Sequence, residues 1–97
     1  MGFNTKSSTA STSGSVTVGS SSTAVLAANP DRKSATIVNG SDEVVYLQLG
    51  ATAVSGEGIY LVAAGGAFNI DHGNLFTGAI NAICASGGKV VSVTETP

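Results

Sequence analysis

Hydrophobic and polar residues alternate along most of this chain, in short runs separated by Gly, Asn, Asp and Ser. Alternation with a period of two marks a strand buried on one face. Such runs fall at 15–18, 23–27, 33–39, 43–49, 58–62, 67–70, 77–84 and 89–95. Asn29-Pro30-Asp31 ends the second run, because proline fixes φ and donates no backbone hydrogen bond. Runs 33–39 and 43–49 flank Asn39-Gly40-Ser41-Asp42, which predicts a β-hairpin built on Asn-Gly turn chemistry. Residues 50–57 read as a loop. No window repeats apolar residues three and four apart for long enough to make a helix. Residues 77–84 come nearest, but Gly78 and the β-branched Ile80 and Ile83 favour a strand.

Short, evenly spaced strands with Gly-rich turns predict an all-β fold. We read a single β-sandwich, jelly-roll or Ig-like, of about eight short antiparallel strands. Its expected core is Val25, Ile37, Val45, Leu47, Leu49, Ile59, Leu61, Phe68, Ile70, Ile80, Ile83, Val91 and Val93. The run Val44 to Leu49 is β-prone, uncharged and free of proline, which makes it sticky if left at a sheet edge. It is therefore expected inside a sheet or under a partner.

The first residues break the pattern. About half of residues 1–15 are Ser or Thr, and only Met1 and Phe3 are large and apolar. That segment buries too little apolar surface to offset its ordering entropy. The sequence thus divides into an extended low-complexity arm, 1–15, and a β-sandwich domain, 16–97. An arm of this composition is expected to become ordered on a neighbouring chain, by coupled folding and binding.

Charge changes the picture next. Charged residues are 10% of the 97, with a net charge of -2. An ordinary soluble domain carries about a quarter. A surface this short of charge repels its copies weakly, which suits a chain packed against neighbours. The cations Lys6, Arg32, Lys33 and Lys89 form no cluster, and no basic residues interleave with the aromatics, so nucleic acid is not an expected partner. No apolar stretch approaches the roughly 18 residues that span a bilayer, and the start does not read as a signal peptide. Myristoylation needs Ser or Thr where Lys6 stands.

The chain offers little catalytic chemistry. Cys84 and His72 are its only thiol–base candidates, with Asp71 beside His72. Cys84 lies among Ala82, Ile83 and Ala85, which suits a small buried hydrophobe, and His72 lies in the turn Asp71-His72-Gly73-Asn74. One His, one Cys and six scattered acids give no metal-ligand spacing. Gly56-x-Gly58 lacks the third glycine and the helix of a dinucleotide loop. Asn39-Gly40-Ser41 fits the N-glycosylation pattern but is better explained as a turn. We therefore expect no enzyme: no catalytic, cofactor-binding or metal-binding residues, and no small-molecule substrate.

Three runs carry a resemblance. They are RKSATIVNGSDEVVYLQLG at 32–50, GIYLVAAGG at 58–66 and FTGAINAICASGGKVVSVTE at 76–95. A strand with a basic start and an Asn end, a Val-Tyr-Leu strand ending in Gly, a Gly-Ala-Ile strand and a Val-x-Val-x-Glu close resemble small β-sandwich virion proteins of tailed phages. The resemblance implies a non-enzymatic structural role, foremost as a capsid decoration (cement) protein that stabilises the shell from outside. The implied partners are a major capsid protein and further copies of the chain. The implied place is the virion surface, after synthesis in the host cytoplasm. Contact residues are then expected in the arm, at Phe3, Asn4, Thr5 and Lys6, and on a low-charge strand face, at Val44, Tyr46 and Gln48. A head–tail or tail component is the alternative within a virion. A host-facing glycan- or receptor-binding module is the alternative outside that role; Tyr46 and Tyr60 would be its platform, although Trp is absent.

Overall fold

Each alternating run becomes a strand with its apolar side turned inward. The computed structural model describes residues 11–96. Its strands are β1 (Thr12–Val18), β2 (Thr23–Leu26), β3 (Ser34–Asn39), β4 (Val45–Leu49), β5 (Ile59–Leu61), β6 (Gly66–Ile70), β7 (Ile80–Cys84) and β8 (Lys89–Thr96). They form two four-stranded antiparallel sheets, ordered β1-β8-β3-β6 and β2-β7-β4-β5. Successive strands change sheet at every connection except β4–β5. That is the jelly-roll arrangement of an eight-stranded sandwich, and it differs from the Ig order.

The inner faces make one apolar core. Ile37, Val45, Leu47, Ile80 and Val91 are completely buried in it. Val16, Leu49, Ile59, Phe68, Phe76 and Val93 pack around its margin. Alternation is clearest in β3, where Ala35, Ile37 and Asn39 point in and Ser34, Thr36 and Val38 point out. β4 lies between β7 and β5, so the sticky run at 44–49 is internal to its sheet.

Four expectations are corrected. First, β3 and β4 do not form a hairpin, because they belong to opposite sheets. Asn39 is buried and turns the chain across the sandwich instead of back along it. Second, β1 starts at Thr12, inside the stretch assigned to the arm. Burial does not drive this extension, since Thr12 through Ser15 are exposed. The backbone ladder does: β8 runs on to Thr96 and pairs Thr12 with Glu95. A hydroxyl contact of 3.2 Å between Ser13 and Thr94 supports it. Third, β7 begins at Ile80, and residues 77–79 belong to the preceding loop. Fourth, Ile83 is buried as expected, but outside the central cluster. Ile80, Ala82 and Cys84 take the inner face, which places Ile83 on the outer face of its sheet.

Candidate functional site

The fold does not bring the thiol and the imidazole together. Cys84 is buried, and its thiol donates toward the Val18 and Gly19 carbonyl oxygens at 3.4 and 3.6 Å. His72 is exposed in the β6–β7 loop, at the opposite end of the sandwich from Cys84. Asp71 closes its own turn, accepting from the Gly73 N–H at 2.8 Å. Among the described residues, no three His, Cys, Asp or Glu side chains come together to hold a metal ion.

Two buried polar side chains organise the ends of the sandwich. Arg32, just before β3, has a fully buried side chain. Its Nε donates to Glu95 Oε2 at 2.6 Å, and its Nη1 to the Phe76 and Gly78 carbonyls at 2.8 and 3.0 Å. Its Nη2 donates to the Ala27 carbonyl at 2.7 Å. One guanidinium thus ties the β2–β3 loop, the β6–β7 loop and the end of β8. A planar fork with several fixed donors suits that task, and an ammonium does not. At the other end, the Asn39 amide nitrogen donates to the carbonyls of Glu43, Leu61 and Val62 at 2.8, 3.1 and 3.1 Å. Its oxygen accepts from the Ser41 N–H and hydroxyl at 3.1 and 2.7 Å.

Charges at the surface brace the Asn39 end. The Lys89 ammonium lies 2.7 Å from Asp42 Oδ1. Hydrogen bonding and charge from Lys89 hold the Asp42 carboxyl below its ordinary value, and Asp42 raises Lys89 in return. Glu43 accepts from the Ser86 N–H and hydroxyl at 2.9 and 2.7 Å, and those bonds lower its pKa.

The remaining candidate surface is the outer face of β5-β4-β7. Tyr46 stands opposite Ile83 on one side and Tyr60 on the other. The two tyrosine rings meet edge to face, with centroids 5.5 Å apart and planes at 79°. Ile83 is 9% exposed, whereas Tyr60 and Val62 are 56% and 51% exposed. Val44 precedes β4 and is half-buried, and Gln48 pairs with Asn81, whose amide donates to the Ala51 carbonyl at 2.6 Å. Val44, Tyr46, Gln48, Tyr60, Val62 and Ile83 make an apolar, aromatic and uncharged surface.

Three of the expected contact residues, Val44, Tyr46 and Gln48, therefore fall on this one face. Phe3, Asn4, Thr5 and Lys6 lie outside the described residues. Sequence reasoning set Tyr60 beside Tyr46 only as a sugar platform, not as a member of the contact face, and it missed Val62. The alternation of Tyr60 and Val62 with Ile59 and Leu61 was the available signal, since it places them outward once those two turn inward. Compared with family models, curated proteins and solved structures, the chain matches none.

Proposed function

We propose that this chain is a non-enzymatic structural protein of a phage virion, most specifically a capsid decoration protein. The observation that carries the reading is the uncharged Tyr46–Tyr60–Val62 surface. Side chains of this kind, exposed and adjacent, mark protein contact sites, and Tyr is enriched among residues that dominate binding. The sequence resemblance supplies the class of partner. The jelly-roll fold is common in viral capsid domains, although it also serves lectins, so it supports the reading only by analogy. Many weak contacts repeated by shell symmetry give an avidity that one small domain lacks.

Cryo-electron microscopy of particles that carry the chain tests this directly. The decoration reading expects many copies at icosahedral positions, with the β5-β4-β7 face against the shell. A few copies at a vertex or tail would replace it with the head–tail alternative. Tyr60→Ala should weaken shell binding by about 2 kcal/mol or more, as a contact hot spot does. It should change folding stability by only about 0.5 kcal/mol, because the ring is more than half exposed. Unchanged shell binding would remove this face from the interface. The same Tyr pair, beside Gln48, favours glycan binding as a second reading; an ordered sugar on Tyr60 with no shell binding would establish it.

A further inference from the structure

Four strands lie at sheet edges: β1 and β6 in one sheet, β2 and β5 in the other. Exposed edges invite pairing with another chain, and folded proteins blunt them by shortness, bulges, charge or cover. Three edges here are blunted. β5 is three residues long, and β2 is four residues with a register shift between Ala24 and Leu26. β6 ends in a turn folded back on it, where the Asn74 amide donates to the Asn69 carbonyl at 3.1 Å. Among the described residues, β1 has none of these devices. It is the longest edge at seven residues, keeps an unbroken register with β8, and contains no charge and no proline.

β1 is also only half supported. Val16 and Val18 pack against the core, but Thr12 through Ser15 are exposed. We propose that β1 is a self-recognition edge, on which a second copy of this chain adds its own β1 antiparallel about a two-fold axis at Ser15. In that register Ser15 faces Ser15 of the second copy, Ser13 faces Thr17, Gly14 faces Val16 and Thr12 faces Val18. Outward residues then meet outward ones, and all seven residues pair. A shifted register that keeps the faces matched moves by two residues and loses two pairs. No like charges meet, and hydroxyls meet hydroxyls, which is favourable across strands. The two-fold sets the overhanging half of each β1 beside the anchored half of the other. The isologous contact closes at two copies and makes one eight-stranded sheet. This inference stands apart from the capsid reading, since it needs no shell.

Directly opposed residues in an antiparallel pair have Cα atoms about 4.5–5.5 Å apart, within the span of a disulfide. Ser15→Cys should therefore form a covalent dimer of the full chain under mild oxidation. Ser13→Cys should not, because the axis sets its two copies four positions apart along the ladder. Buried Cys84 makes the unsubstituted chain a silent control. Sedimentation velocity should show reversible dimerisation of the unsubstituted chain as its concentration rises. Ser15→Lys and Ser15→Glu alone should each raise the dissociation constant several-fold, and mixing the two should restore association. Ser15 is exposed, so all these variants keep the monomer fold. A monomer at every concentration, or cross-linking of Ser13→Cys as readily as Ser15→Cys, would overturn the proposal.

Discussion

At one end of the sandwich the connections are long, at 27–33, 50–58 and 71–79, and two of them converge on Arg32. At the other end they are short, at 19–22, 40–44, 62–65 and 85–88, and the middle two are tied by Asn39. Both ends face the same difficulty. Strands that swap sheets leave loop carbonyls pointing inward, and a buried carbonyl without a donor is costly. Long loops stand apart, so a long side chain with several donors must span them, and Glu95 offsets its charge. Short corners lie close together, so a neutral amide suffices, because it donates and accepts in one small group. Loop length thus decides which polar residue can close each end.

The strongest way to break the Arg32 end is Arg32→Met, which keeps the stem and removes the donors. It leaves the Glu95 carboxylate and three carbonyls without their partner. The expected loss is about 3–5 kcal/mol, read from urea unfolding. Asn39→Ala should cost less, about 1–3 kcal/mol, because no ion is stranded. Equal costs would refute the view that charge separates the two ends. Gly58, at φ 89°, enters β5 at the Arg32 end. A Cβ there would collide with the Leu47 carbonyl oxygen. Gly56, at φ 88°, has open space around it. Gly56→Ala should cost about 1–2 kcal/mol from backbone conformation alone, and Gly58→Ala should cost more. The difference between them measures how rigidly β5 is held against β4.

The smallest effect sharpens the Asn39 end. Asp42 and Glu43 titrate below their ordinary values of 3.8 and 4.5. Depressed carboxyl values stabilise the folded state fully above the unfolded values, and the contribution is lost as pH falls through the folded ones. Asp42 is exposed and Glu43 is only half-buried, so the effect should be slight. The difference in thermal midpoint between the unsubstituted chain and Glu43→Gln should therefore be present near neutrality and shrink on acidification. A difference independent of pH would assign the Glu43–Ser86 link no electrostatic part.

Local pattern made the strands readable, since a period of two needs only neighbouring residues. All eight runs became strands, shifted by a few positions at their ends. Sheet partnership was not readable from the same signal. Asn-Gly between two β-prone runs means a hairpin in most settings, and here it means a corner. What decides is the Asn39 side chain, whose partners at 61 and 62, the end of β5 and the start of the next connection, lie outside any local window. Arg32 was equally opaque, because its carboxylate partner lies 63 positions away. The outer face was half readable: Val44, Tyr46 and Gln48 came from one run and Tyr60 was set beside Tyr46 as a candidate platform, whereas Ile83 joined only through register.

The place of β8 has a consequence for how the chain is made. It leaves the ribosome after the other seven strands described, yet it sits inside its sheet, between β1 and β3. The hydroxyl pair Ser13–Thr94 spans 81 positions of sequence. Until β8 emerges, β1 has no strand to pair with and β3 is itself an edge. Nascent chains therefore wait with an open sheet until β8 emerges and closes it. Long-range closure of this kind is intrinsically slow. A low-charge sequence has little repulsion to keep neighbouring nascent chains apart during that wait.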